Sequence, residues 1–119
     1  MTDYGRGELY VEFAPTNDYK ARLANSIVIP GNLLLYGFTV SSTNAAAQYF
    51  MVFDASSVPG SGAIPCYTLL CAINGDRQAS YLPPREFNTG ICICNSTTNT
   101  SLTIGAADSL FDVQFQTVN

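Results

Sequence analysis

The chain contains no histidine. Histidine is the usual general base and a frequent metal ligand because its pKa lies near neutrality. Its absence excludes a Ser-His-Asp triad and a Cys-His dyad, so any catalysis would rest on carboxylates, tyrosines, thiols or Lys20, the only lysine. Charge is scarce too: charged side chains make up 12% of the 119 residues, against roughly 25% in ordinary soluble domains. A surface this poor in charge favours burial in contacts over free diffusion. Nine acidic side chains against five basic ones give a net charge of -4, which repels phosphate backbones and argues against nucleic acid as a partner. No stretch approaches the ~18 to 20 consecutive apolar residues that cross a bilayer, so no membrane partner is expected. Met1 to Glu8 show no basic segment leading into an apolar run, so synthesis and folding in a cytoplasm are expected. There is also no P-loop, no G-x-G-x-x-G after a strand and no basic patch interleaved with aromatics.

What is present is apolar alternation. Leu9, Val11 and Phe13 alternate with Glu8, Tyr10 and Glu12 as in a strand with one wet face. Residues 14 to 24 carry Asp18, Lys20 and Arg22 without a period of 2 or a helical stripe, and read as a charged surface arm. Ser26 to Ile29 reads as a strand, Pro30-Gly31 as the centre of a type II turn, and Asn32 to Ser41 as the return strand of a hairpin. Within it neither face suits water: Leu33 and Leu35 lie on one side, and Leu34, Tyr36, Phe38 and Val40 on the other. Gln48 to Asp54 repeats this, with Phe50 and Val52 against Tyr49, Met51 and Phe53. Ile64 to Ile73 and Gln78 to Leu82 read as a second hairpin about Asn74-Gly75, ended by Pro83-Pro84. Ile91 to Cys94, a short piece at Leu102 to Ile104, and Phe111 to Thr117 complete the set.

About eight short antiparallel strands without a helix predict an all-β, single-domain β-sandwich over residues 1-119, with a jelly roll the expected connectivity. Residues 1-24 would form the first strand and the arm, and 25-119 the sandwich. One small domain has little left with which to cover the second face of a doubly apolar strand, so other subunits are expected to cover it.

The groups that can carry chemistry are few. Glu8 and Glu12 share a strand face about 13 Å apart, too far for paired acid and base work on one glycosidic bond. Asp54, Asp76, Asp108 and Asp112 read as turn or surface aspartates rather than a calcium site. Cys66, Cys71, Cys92 and Cys94 lack the C-x2-C spacing of zinc ribbons and read as reduced, buried thiols, so neither a metal nor another cofactor is expected. Two sequons, at Asn95 and Asn99, arise in a loop made almost wholly of Ser, Thr and Asn.

The succession Ser42-Thr-Asn-Ala-Ala-Ala-Gln-Tyr-Phe-Met-Val-Phe-Asp-Ala55, Val58-Pro-Gly, Ala63-Ile-Pro65, Phe87-Asn-Thr-Gly-Ile-Cys-Ile-Cys-Asn-Ser-Thr-Thr98, Ile104-Gly-Ala-Ala-Asp108 and Phe111 to Val118 resembles small β-sandwich virion proteins of tailed bacteriophages. It is most similar to the head decoration, or cement, proteins of cyanobacterial phages. The likeness spans roughly residues 32 to 118, does not extend to residues 1 to 31, and rests on the order of segments. It implies a trimeric jelly roll on the outside of a capsid, bound where major capsid proteins meet and made in the cytoplasm of a bacterial host. Tyr4, Arg6, Tyr10, Asp18, Lys20, Arg22, Tyr36 and Phe38 are the candidate contact residues. A second reading is a carbohydrate-binding β-sandwich of a phage tail or lectin type, using Tyr81, Asn95 and Asn99. An enzyme would need a pocket that holds two acidic groups within about 5 to 10 Å.

Overall fold

A computed structural model describes residues 17–44, 46–71 and 75–118. Among them are eight strands and no helix: β1 (Asn17–Ala24), β2 (Ser26–Pro30), β3 (Leu33–Ser42), β4 (Gln48–Asp54), β5 (Tyr67–Cys71), β6 (Asp76–Phe87), β7 (Gly90–Ser96) and β8 (Ser109–Thr117). They form two four-stranded antiparallel sheets, β1-β8-β3-β6 and β2-β7-β4-β5. The first strand pairs with the last, the second with the second-last, and so on inward to β4 with β5. A ribbon paired in this nested way and rolled so that successive pairs fall in opposite sheets is a jelly roll. The sandwich expected from the sequence is therefore present.

The local connections differ from expectation. β2 and β3 lie in opposite sheets, as do β5 and β6, so neither expected hairpin exists. Gly31, at a φ of 118°, turns a corner between sheets instead. The segment read as an arm is a strand, β1, pairing with β8 from Asn17 to Ala24, and among the described residues it is an edge of its sheet. Its alternation is invisible because an edge strand keeps both faces largely wet. Pro83-Pro84 does not end β6, which resumes its pairing from Arg85 to Phe87. Leu102 to Ile104 adds only a bridge, Ser96 with Ile104. The strand expected near Leu9, together with Tyr4, Arg6 and Tyr10, lies outside the described residues.

Both doubly apolar strands resolve within the chain itself. In β3 the register slips at Tyr36, between Leu35 and Gly37, against β8 and β6 alike. One extra residue inverts the pleat. Leu33, Leu35, Phe38 and Val40 thus all enter the core fully buried, and Leu34 and Tyr36 stay half-buried on the outer face. Gly37 permits the bulge, since a Cβ there would stand 2.6 Å from the Ala79 carbonyl oxygen.

In β4 the second face is real. Phe50 and Val52 join the core between the sheets, while Met51 and Phe53 form an outer cluster with Cys92, Cys94 and Leu102. The chain covers that cluster with its own loops. Gly62 N donates to Leu102 O and Leu102 N to Ala63 O, both at 2.8 Å, which ties the β4–β5 loop to the β7–β8 loop as a lid. The Ser/Thr-rich stretch frames this lid: buried Ser96 Oγ accepts from Thr98 N and Thr103 N at 3.2 and 3.0 Å. The expectation that other subunits must cover β4 is corrected, because a 12-residue loop between strands suffices once it carries Leu102.

Candidate contact surface

Among the described residues no loop covers the outer face of the β1-β8-β3-β6 sheet, and it gathers most of the described contact candidates. Register sets Lys20 opposite Asp112 and Asp18 opposite Gln114 across β1 and β8. Opposed residues of an antiparallel pair share a face. Lys20 Nζ lies 2.6 Å from Asp18 Oδ2 and 3.3 Å from Asp112 Oδ2. Gln114 Nε2 donates to Asp18 Oδ1 at 3.1 Å and to Asp112 Oδ1 at 2.9 Å. One amide and one ammonium therefore hold two carboxylates side by side. Shared hydrogen bonding with Asp112, helped by Lys20 and Gln114, lowers Asp18 to about 2. The same sharing pushes Asp112 up, and the two carboxylates raise Lys20. Tyr36 extends the row, its hydroxyl donating to Gln116 Oε1 at 2.8 Å.

Beside this cluster lies a hollow of about 250 Å³ lined by Lys20, Ala21, Arg22, Thr39, Leu110 and Asp112. One acid, Asp112, and two bases, Lys20 and Arg22, line it, and Asp18 stands outside. The cluster stands in solvent, where screening makes such pairs weak.

The outer edge of β1 adds apolar area. Leu23 has a φ of 51°, a left-handed conformation that costs a bulky residue roughly 1 kcal/mol or more. It is 63% exposed, and Tyr19 is half-exposed on the same strand. The strand also carries Asp18, Lys20 and Arg22, charges of the kind that protect a sheet edge, so Leu23 and Tyr19 stand among them.

The other candidates separate. Phe38 is fully buried in the core and is corrected as a contact residue; the Tyr36 bulge turned it inward. Of the carbohydrate candidates, Asn95 is fully buried at one end of the core, donating to Ala106 O and Ser109 Oγ at 2.8 and 2.9 Å, so it can neither read a sugar nor carry a glycan. Asn99 lies in the exposed loop, and Tyr81 is half-buried on β6.

The aspartates do not converge. Asp54 accepts from the backbone N–H groups of Asn88, Thr89 and Gly90 at 3.2, 2.8 and 3.2 Å, pinning the β6–β7 turn rather than its own. Asp108 accepts from Asn44 Nδ2 at 2.6 Å and more weakly from Gln48 and Asn95 at 3.3 Å, as a polar plug at the end of the core.

The thiols divide as well. Cys71 lies in the inter-sheet core, while Cys92 and Cys94 lie beneath the lid with sulfurs 3.6 Å apart. Hydrogen bonding to Cys92 and burial push the Cys94 thiol up. Cys66 is exposed, against expectation, because it precedes β5 instead of forming part of it. Four thiols on three surfaces cannot bind one zinc ion, and no cluster of three or more His, Cys, Asp or Glu with ligating geometry exists among the described residues.

The sequence left two groupings unread. Asp112 joined Asp18 only through register. Tyr67, Tyr81 and Arg85 meet only because β5 and β6 close the same side of the sandwich. Comparisons of the chain with protein-family models, curated proteins and solved structures return no match.

Proposed function

We propose that the chain is a subunit of a larger assembly, a decoration or cement protein bound to the head of a tailed bacteriophage. In this reading β1 and the outer face around Asp18, Lys20, Arg22 and Tyr36 are the contact surface. The observation that carries it is Leu23, a large apolar side chain held in a strained conformation and turned to water on an edge strand. A partner that buries Leu23 and Tyr19 supplies a reason for that combination. The jelly roll is a fold common among viral capsid domains, and the resemblance from Asn32 onward points the same way.

The contact needs no reaction. Each bound subunit, as a trimer, would add contacts that exist only in the assembled lattice, and mass action would then stabilise that lattice. β1 and β6 are opposite and unlike edges of one sheet, so a contact using β1 can be head-to-tail and close into a ring. The test is cosedimentation with purified empty phage heads of the cyanophage type. Binding lost on Leu23→Asp supports the reading. Failure of the unaltered protein to bind while it forms a saccharide-specific complex on a glycan array would replace it with the lectin-type alternative.

A further inference from the structure

We propose that the hollow in the bulged part of β6 is a binding site for a carboxylate-bearing saccharide, with Arg85 as the residue that reads the carboxylate. This does not depend on the assembly reading, since β1 lies at the far edge of the same sheet.

Register builds the site. Ser80 pairs with Gly37 and Arg85 with Leu35, so four residues of β6, Tyr81 to Pro84, stand opposite Tyr36 alone. They bulge out of the sheet and leave a hollow of about 450 Å³ that also reaches Ser80 and Glu86. This volume is in the range of small-ligand pockets. Leu82 at the bulge is 94% exposed.

Arg85 faces inward by its pairing with buried Leu35, but at an edge strand it reaches the rim of the core instead of the interior. Its guanidinium carbon lies 5.4 Å from the Tyr67 ring centre and 5.3 Å from that of Tyr81, and the two ring centres are 5.9 Å apart. The three groups form a near-equilateral triangle, with the cation resting on a ledge of two rings. Tyr81 is braced from behind by buried Phe38, at 6.5 Å. Such contact holds the guanidinium beside the rings, and its N–H donors belong to an exposed side chain. Among the described residues no acceptor takes those donors, whereas Arg77 on the same strand is engaged by the Leu70 carbonyl.

A planar carboxylate is the matching acceptor, since it meets the fork with two parallel hydrogen bonds. Glu86 in the wall and the net charge of -4 disfavour a doubly charged phosphate. Glu86 and the Ser80 hydroxyl instead suit the hydroxyls of a sugar ring, and Pro83, Pro84 and Leu82 offer its carbon face an apolar wall. Burial, then the neighbouring Tyr67, pushes the Tyr81 phenol up despite Arg85, so it remains a neutral donor beside the cation.

The test is an amide chemical-shift titration of the full chain with glucuronate, glucose and inorganic phosphate as separate arms. Saturable shifts at Tyr81, Arg85 and Glu86 with glucuronate, weaker ones with phosphate and none with glucose are expected. Arg85→Lys, which keeps the charge but not the fork, should weaken glucuronate binding roughly ten- to a hundredfold with the thermal midpoint unchanged. The proposal is overturned by absence of glucuronate shifts in the unaltered protein, by equal binding of glucose or phosphate, or by undiminished affinity in a folded Arg85→Lys variant.

Discussion

Leu102→Ala tests whether the lid over β4 is a built part of the fold. Leu102 is 1% exposed and packs on Met51, Phe53, Cys92 and Cys94. Removing its three carbons beyond Cβ loses roughly 0.8 kcal/mol each, about 2.4 kcal/mol together. A cavity left behind would add to this, but a loop can settle inward more easily than a strand, so the low end of the usual range of about 2–5 kcal/mol is expected. A loss of about 2 to 3 kcal/mol in urea unfolding follows, with a thermal midpoint lower by on the order of 10 °C. Thiol labelling supplies the spatial check. In the unaltered protein only the exposed Cys66 should react quickly with an aromatic disulfide reagent. The variant should add Cys92 and Cys94 through opening of the lid, while Cys71, on the other side of the sheet, stays slow. A loss under about 1 kcal/mol with unchanged labelling would refute the lid, as would equal acceleration of all three buried thiols.

Gly90→Ala should destabilise by about 2 kcal/mol or more, since its Cβ would meet the Ala55 and Ile29 carbonyl oxygens at 2.6 and 2.8 Å; Gly60→Ala, with nothing within 4 Å, should be neutral in the same denaturant titration. Asp54→Ala should cost about 0.5 to 1.5 kcal/mol at neutral pH, because water can replace the carboxylate at the exposed backbone donors. Partial burial favours a raised Asp54 carboxyl, but the N–H groups of Thr89, Asn88 and Gly90 outweigh it and hold the group below its ordinary 3.8. Its contribution is therefore complete above the unfolded value and lost as pH falls through the lower folded one. The stability curves of the two proteins should converge in acid, and a gap that persists there would count against the bonds. Lys20→Met should raise the carboxyl titration midpoints of both Asp18 and Asp112 in carbon-detected spectra, and an unmoved Asp18 would contradict the shared cluster.

Strands were legible wherever a core needed alternation. β2, β4 and β8 stood out because Ile27 and Ile29, Phe50 and Val52, and Phe111 and Val113 fill the core at spacing of two. β1 was not legible, since an edge strand with only Ala21 and Ala24 against the core has no apolar face to reveal it. Sheet assignment was also out of reach. Pro30-Gly31 gives the same local turn whether the chain folds back on its own sheet or crosses to the other, and only the nested pairing of distant strands decides. The bulge at Tyr36 reversed the reading of β3, making a one-faced strand look two-faced and misplacing Phe38 as a surface residue. For the contact surface, Asp18, Lys20 and Arg22 could be chosen from charge alone. Asp112 and the strained Leu23 could not, because register and backbone conformation, not residue type, bring them there.

Light scattering on the purified protein across a dilution series tests most directly whether β1 and its neighbouring face are made for contact. A stable oligomer, expected as a trimer, should persist on dilution. A monodisperse monomer at micromolar concentration would contradict the account.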